Sequence, residues 1–154
     1  MAARPAFELD NHLFFWLTQV MGARDRRLST ELKGFGLRVP EWRVLAALYS
    51  RRKCAMSELA ELASIDRTTL TRTIDRMEEG GWLSRNADGD DMRVTRLALS
   101  AAGERLFARV WPTVSQLNDA ALAGLSPAMV ERLRGALAQM KGNLDEEPAS
   151  SEAA

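Results

Sequence analysis

The spacing of two helix starts in the middle of the chain restricts the fold more than any other feature. Ser57 is predicted to cap one short helix, and Asp66 is predicted to cap the next, only nine residues later. The second helix ends at the pair Gly80-Gly81, because glycine readily terminates a helix. The apolar positions assigned to these helices are Leu59, Leu62, Ala63, Leu70, Ile74 and Met77. Two short helices joined by the tight turn Ser64-Ile65 indicate a helix-turn-helix unit.

Immediately after these helices, the apolar pattern changes from a helical period to the alternation of a β-strand. Trp82–Asn86 and Arg93–Leu99 are the two predicted strands. The segment between them contains Asp88-Gly89, a dipeptide that favours a tight turn. A two-stranded ribbon directly after a helix-turn-helix unit makes a winged helix. The sequence therefore predicts a mainly α fold, a winged helix-turn-helix with a two-stranded β wing.

Long amphipathic helices are predicted on both sides of this unit. The first covers Phe7–Lys33, and a second begins at Pro40. Ser100 is predicted to cap a third, and Ser126-Pro127 begins the last, which should end near Gly142-Asn143. Their predicted inward positions are Leu9, Leu13, Trp16, Leu17, Val20, Met21, Leu28, Leu32, Val44, Leu45, Leu48, Tyr49, Leu106, Val110, Val114, Leu117, Val130, Leu133, Leu137 and Met140.

We expect one domain over residues 1–142, with the winged helix-turn-helix at residues 38–99. Residues 7–33 and 101–142 are expected to be dimerisation helices, because arms this apolar pack most simply against a second copy of the chain. Residues 143–154 hold four acidic residues and no Lys or Arg, so they are expected to form an acidic, disordered tail.

The charge of the chain is zero, with 21 Lys and Arg against 21 Asp and Glu. This balance argues against a polybasic nucleic-acid or membrane-surface protein. The acidic tail explains part of it, because the rest of the chain holds 21 basic and 17 acidic groups, a net of +4.

The sequence contains neither a signal peptide nor an apolar run of about 18 residues. A single cysteine, Cys54, and a single histidine, His12, allow no internal disulfide and no zinc site. We expect a cytoplasmic protein without metal, cofactor or membrane contact.

The helix that follows Asp66 has a polar face suited to DNA. Opposite its apolar positions lie Thr68, Arg72, Asp75, Arg76 and Glu79, with Thr69 and Thr71 on the flanks. A recognition helix enters the major groove by its amino end, where small hydroxyl side chains reach bases or phosphates without steric conflict. Arg72 can donate two hydrogen bonds to guanine. The alternative is an ordinary solvated face, because Asp75 and Glu79 repel phosphate.

The predicted wing adds three arginines, Arg85, Arg93 and Arg96. Arg93 lies next to the turn, where a guanidinium can enter a narrow minor groove. Asp91 can orient the Arg93 guanidinium through a charge-assisted pair. The alternative is an ordinary acidic hairpin turn without a DNA contact.

Three stretches of the chain resemble the MarR family of bacterial transcriptional regulators. Ile65–Leu83 resembles the recognition helix of that family. Asp91-Met92-Arg93, with Leu97–Ser100 and Gly103, is similar to its Asp-x-Arg wing and the junction from strand to helix. Leu122–Pro127 resembles the hinge before its last helix, and the likeness extends roughly from Leu9 to Leu144.

The resemblance implies a homodimeric winged-helix protein that binds double-stranded DNA, most simply a repressor on a palindromic operator. By position it assigns Thr68, Thr69, Thr71 and Arg72 to the major groove and Arg93 to the minor groove. Arg76 follows on the same helix as a further candidate. Met92 replaces a second basic residue that is common in the family, so wing affinity is expected to be lower. Ser57 begins the first helix of the motif, whose amino terminus can bind a phosphate.

Many members of the family are released from DNA by a small aromatic anion that binds between the dimerisation helices and the DNA-binding unit. In this sequence His12 and Trp16 lie one turn apart, and Trp42-Arg43 lies on the second helix. Aromatic walls, a cation and an imidazole suit a phenolic or aryl carboxylate effector. The alternative is that both tryptophans belong to the core, that Arg43 is a surface group and that His12 only packs against its helix.

Two other functions stay open at this level, and an enzyme is disfavoured. Cys54 follows the basic run Arg51–Lys53, which can stabilise a thiolate for redox sensing, although a buried and unreactive cysteine is the simpler reading. A winged helix used only for protein contacts is the second alternative. The sequence has no glycine-rich phosphate loop, and His12 is the only histidine that could take part in a Ser-His-Asp triad. No catalytic site is therefore predicted.

Overall fold

The computed structural model describes residues 7–87 and 95–146. A short 3-10 helix, Leu9–Asn11, precedes the main elements. The helices are α1 (Leu13–Lys33), α2 (Val39–Arg51), α3 (Met56–Ala63), α4 (Arg67–Glu79), α5 (Ala101–Leu122) and α6 (Pro127–Asp145). The strands are β1 (Cys54–Ala55), β2 (Leu83–Ala87) and β3 (Thr95–Leu99). The mainly α winged-helix fold is confirmed. Within the described ranges, each helix is too short or too polar to cross a membrane.

The chain divides into two compact units, Met1–Leu117 and Asn118–Ala154. The predicted disordered tail at residues 143–154 is wrong at its start, because residues 143–145 belong to α6. Residues 147–154 and the wing turn, with the candidates Asp91 and Arg93, lie outside the described residues. Helix α6 extends to Asp145, three residues beyond the predicted end of the last helix at Gly142.

The two helix caps of the helix-turn-helix unit differ in outcome. The Asp66 cap is confirmed, because Asp66 Oδ1 accepts a hydrogen bond of 2.9 Å from the Thr69 backbone N–H. The predicted Ser57 cap is wrong. Helix α3 begins at Met56, its N-cap is Ala55, and Ser57 lies exposed in the first turn. Between the helices Ser64 adopts a left-handed conformation, φ 50°, which turns the chain sharply into α4.

The β structure has three strands rather than the predicted two, in the antiparallel order β1-β3-β2. Cys54 pairs with Leu97, and Leu83 pairs with Leu99. Strand β1 is two residues long, too short to produce a recognisable alternation of apolar residues.

The core of the first unit is built around the apolar face of α4. Leu70, Ile74 and Met77 are fully buried, as predicted. They belong to a cluster with Leu28, Leu32, Val44, Leu45, Leu48, Leu59, Leu97, Val110 and Val114. Among the predicted core positions of α2 and α3, Tyr49 and Leu62 are wrong, because their side chains are exposed. Tyr49 instead stacks on Phe107, with ring centroids 3.7 Å apart.

The junction from β3 to α5 is closely packed. Ser100 Oγ accepts from the Gly103 backbone N–H at 3.1 Å and donates to the Gly81 carbonyl at 2.6 Å. The Ser100 backbone N–H donates to the Trp82 carbonyl at 3.0 Å. A Cβ atom at Gly103 would lie 2.0 Å from that same carbonyl oxygen. The junction therefore requires glycine at residue 103.

Helices α1 and α6 keep many of their predicted inward apolar side chains exposed in the single chain. In the first unit, the amino-terminal half of α1 leaves Leu13, Trp16, Val20 and Met21 exposed, and only Leu28 and Leu32 are buried. In the second unit, α6 has no buried residue, and Leu133 and Leu137 are 46% and 40% exposed. The apolar residues of each helix lie on one face, as the periodic pattern predicts, but the described residues of this chain do not cover these faces.

Candidate nucleic-acid interface and effector cleft

Helix α4 presents a hydroxyl-rich and cationic face to solvent. Thr68, Thr71 and Arg72 are exposed, while Thr69 is half-buried beside the Asp66 cap. The Thr71 hydroxyl donates to the Arg67 carbonyl at 3.0 Å, so its oxygen still has lone pairs available as acceptors. The Thr69 side chain, and then backbone N–H groups, hydrogen-bond Asp66 and lower the pKa of its carboxyl. The cap is therefore ionised at neutral pH, which suits the positive end of the helix.

The two candidate arginines of α4 have different surroundings. Arg76 Nη1 lies 3.1 Å from Glu41 Oε1. The Glu41 side chain is buried, and its other oxygen accepts a 2.7 Å hydrogen bond from the Arg38 backbone N–H. Arg76 thus links α4 to the start of α2. Arg72, one turn earlier, forms no ion pair with any residue that the structure describes, so its guanidinium is available to a ligand.

Arg85 of β2 is held by two acids of α4. Its Nε donates to Glu78 Oε2 at 2.9 Å, and its Nη2 pairs with Asp75 Oδ1. This bridge fixes the first wing strand against α4. It also neutralises the negative charge of Asp75. Asp75 is one of the two acids whose repulsion of phosphate supported the alternative that this face is only solvated.

The structure separates the four residues predicted for an effector site. Trp42 and Arg43 line a cleft of about 440 Å³ between α1, α2 and α3, together with Met21, Arg24, Ala46, Ala47, Ser50, Arg51, Leu62, Ala63 and Ser64. His12 and Trp16 do not line it. The His12 ring centroid is 5.0 Å from that of Phe7, and Trp16 Nε1 donates to the Asp10 carbonyl at 2.8 Å.

Two arginines of this cleft were not predicted as effector contacts, namely Arg24 and Arg51. Arg24 follows Met21 on α1 by three residues, a spacing that places both on one helix face. In the sequence, Arg51 was considered only as part of the basic run beside Cys54. Arg43, in turn, donates to Asp25 Oδ2 at 2.7 Å, which fixes its guanidinium at the edge of the cleft. The cleft therefore combines apolar walls with three cations.

Cys54 is poorly suited to redox sensing. Its side chain is fully buried in β1, opposite Leu97. Burial, and then the nearby Glu58 carboxylate, raise the pKa of the thiol, and the opposing effects of Arg51 and Arg96 are smaller. A thiol that is neither accessible nor ionised at neutral pH reacts slowly with oxidants. The structure favours the simpler reading of a buried, unreactive cysteine.

Comparisons with known proteins agree with this geometry. The profile of the MarR family matches residues 37–95. The HTH-type transcriptional repressor IacR of Pseudomonas putida is 29% identical over 143 residues, which cover 93% of this chain and 86% of that protein.

Solved structures agree as well. A probable transcriptional regulator from Pseudomonas aeruginosa is 30% identical, with a TM-score of 0.74 over 86% of this chain and 99% of that one. BpsR of Bordetella bronchiseptica has a TM-score of 0.79 at 20% identity, over 93% and 100% of the two chains, which shows a shared fold. That structure concerns the regulation of BpsR DNA binding by 6-hydroxynicotinic acid.

The family profile covers the helix-turn-helix and the first wing strand, β2, and the relatives cover 93% and 86% of the chain. The exposed face of α4 has the hydroxyl groups and the unpaired arginine that a recognition helix needs. This chain belongs to the MarR family of transcriptional regulators, which are DNA-binding regulators and not enzymes.

Proposed function

We propose that this regulator represses transcription in the cytoplasm by binding a palindromic operator as a homodimer, and that a small aromatic or phenolic anion releases it. The observation that carries the proposal is the solvent-facing side of α4. Thr68, Thr71 and Arg72 lie there together, and Arg72 has no carboxylate partner among the described residues. A winged helix that serves only for protein contacts does not need this combination.

A second copy of the chain is the proposed cover for the apolar faces of α1 and α6. Side chains such as Leu133 and Leu137 keep 46% and 40% of their surface exposed to water in the single chain. A symmetric dimer buries equivalent faces of both copies. It also presents two recognition helices to successive major grooves, so half-sites about 10 bp apart are expected.

Arg72→Ala should weaken operator binding by about 1–3 kcal/mol and relax the preference at one base pair in each half-site. The reason is the loss of a two-pronged hydrogen bond to guanine. Selection of binding sites from a random duplex library, followed by titration of the selected duplex, measures both effects. Arg105→Ala is the matched control, because Arg105 is exposed on α5 and its removal changes the charge equally. Unchanged site preference in Arg72→Ala would refute this role for α4.

The remaining DNA contacts are proposed from family position. Arg93 would enter the minor groove with Asp91 as its orienting partner, and both lie outside the described residues. Ser57 lies in the first turn of α3, where backbone N–H groups favour a phosphate, and Thr69 lies in the first turn of α4 beside the Asp66 cap. Arg76 would act indirectly, because its ion pair with Glu41 holds α4 against α2.

The proposed effector site is the cleft lined by Trp42, Arg43 and Arg51. Its volume of about 440 Å³ suits a small aromatic acid, and its cations suit a carboxylate. BpsR, whose DNA binding is regulated by 6-hydroxynicotinic acid, offers a precedent within the fold. His12 and Trp16 lie outside the cleft, so we no longer assign them to it.

Arg51→Gln should raise the concentration of an aryl carboxylate that releases half of the operator complex by about tenfold, the cost of one charge-assisted hydrogen bond. Arg51 has no ion-pair partner among the described residues, so its removal leaves no unpaired acid behind. His12→Ala is the control and should leave the midpoint unchanged. If no member of a panel of aryl carboxylates releases the protein from the operator, the effector proposal is refuted. If His12→Ala changes the midpoint concentration and Arg51→Gln does not, the effector site lies elsewhere.

A further inference from the structure

A second concavity, distinct from the effector cleft, lies beside the recognition helix. It is a groove of about 180 Å³ between the start of α2 and α4, and its walls include Arg38, Glu41, Thr69, Arg72 and Arg76. Arg38 is the N-cap residue of α2 and is exposed. The groove therefore joins the exposed face of α4 to an arginine that belongs to a different helix.

The groove is strongly cationic at its mouth. Three guanidinium groups line it against one carboxylate, which leaves a net charge of two. That carboxylate, Glu41, is buried, and its charge is already shared between Arg76 and the Arg38 backbone N–H. Arg38 and Arg72 form no ion pair with any residue in the described ranges. Two unpaired guanidinium groups at one groove repel each other unless an anion lies between or beside them.

The groove is also built to hold Arg38 in place. Its backbone N–H donates to Glu41 Oε2 at 2.7 Å, and the same Glu41 side chain pairs with Arg76 on α4. One buried carboxylate thus fixes the backbone of Arg38 relative to the recognition helix. The positive end of the α2 dipole adds to the attraction of an anion at this position.

We propose that Arg38 binds a backbone phosphate of the operator immediately beside the bases that α4 reads. The inference rests on the proposed operator binding by α4. When a recognition helix lies in the major groove, the preceding elements cross the sugar-phosphate backbone, and phosphate contacts set the register in which base contacts form. Arg38 is thus a positioning contact, and Arg72 at the other side of the groove reads sequence.

The test compares Arg38→Ala, Arg38→Lys and the control Arg105→Ala on the duplex that the wild-type protein selects from a random library. Binding is titrated by fluorescence anisotropy at several salt concentrations. Arg38→Ala should reduce the slope of log affinity against log salt concentration by about one, because one fewer counterion is released. Arg38→Lys should retain the wild-type slope, and the selected sequence should be the same for both variants. The hydrogen bond to Glu41 uses the backbone N–H, so Arg38→Ala should fold normally, as circular dichroism can verify.

Three outcomes would overturn the inference. A slope for Arg38→Ala equal to that of Arg105→Ala would mean that Arg38 contacts no phosphate. A changed site preference with an unchanged slope would make Arg38 a base contact instead. Failure of the wild-type protein to select any sequence would overturn the proposed function and this inference with it, whereas the first two outcomes leave operator binding intact.

Discussion

Gly103→Ala should lower the free energy of unfolding by about 3 kcal/mol, which is the upper end of the usual cost of adding atoms to a well-packed site. The added methyl group would lie 2.0 Å from the Trp82 carbonyl oxygen, far inside van der Waals contact. That oxygen cannot move aside freely, because it accepts the Ser100 N–H at 3.0 Å. The substitution therefore separates α5 from the β2 side of the junction. Urea denaturation followed by circular dichroism measures the change.

Gly22→Ala is the matched control for this prediction. Gly22 lies inside α1, and an added Cβ there would meet only the flexible end of Arg26, at 3.4 Å. Alanine at this position should be neutral or stabilising by up to about 1 kcal/mol, because it favours a helix more than glycine does. Both variants must be compared at equal protein concentration, since the proposed dimer would contribute to stability. Equal stability of the two variants would show that the junction relaxes and that glycine is not required there.

The double variant Leu133→Asp with Leu137→Asp should sediment as a folded monomer at micromolar concentration and bind the operator about 100 to 10,000 times more weakly. These residues lie one turn apart on α6, and neither is buried in the single chain. Two carboxylates on the face proposed to meet a second copy would be desolvated by association, at a high energetic cost. The affinity loss follows because a monomer places only one recognition helix on the DNA and loses the benefit of linked binding.

The control for the dimer prediction changes the opposite side of the same helix. Ala138→Asp with Gln139→Asp adds two acids to α6, away from the Leu133 face. This variant should sediment as the wild-type protein does and keep most of its operator affinity. A double Leu variant that remains dimeric would show that the apolar face of α6 does not form the interface.

Local rules explain which parts of the fold the sequence predicted. The Asp66 cap, the start of the last helix at Ser126-Pro127 and the buried face of α4 depend on residues close together in the sequence, and all three are confirmed. Strand β1 was missed because two residues carry no periodicity, and its pairing with Leu97 is visible only in three dimensions. The apolar faces of α1 and α6 were recognised, but a pattern along one helix does not reveal whether its cover belongs to the same chain.

The same distinction between local sequence patterns and tertiary packing applies to the candidate site. Arg72, Arg76 and Arg85 look equivalent in the sequence, yet only Arg72 lacks a carboxylate partner among the described residues. The difference arises from Glu41, Asp75 and Glu78, whose distances to the arginines depend on tertiary packing. The predicted effector residues lie in two separate places for the same reason. Spacing along the sequence relates His12 to Trp16 but does not give their distance from Trp42.

The two-residue strand β1 has a mechanical consequence for regulation. It connects α2 to α3 and pairs with β3, which in turn pairs with β2, the strand that Arg85 fastens to α4. Strand pairing and the Arg85 ion pairs therefore connect the two strands of the wing with the helices α3 and α4. We expect a ligand in the proposed effector cleft, which is lined by residues of α2 and α3, to move these strands and helices together rather than the wing alone. Such a movement would shift the whole surface that is proposed to meet the operator.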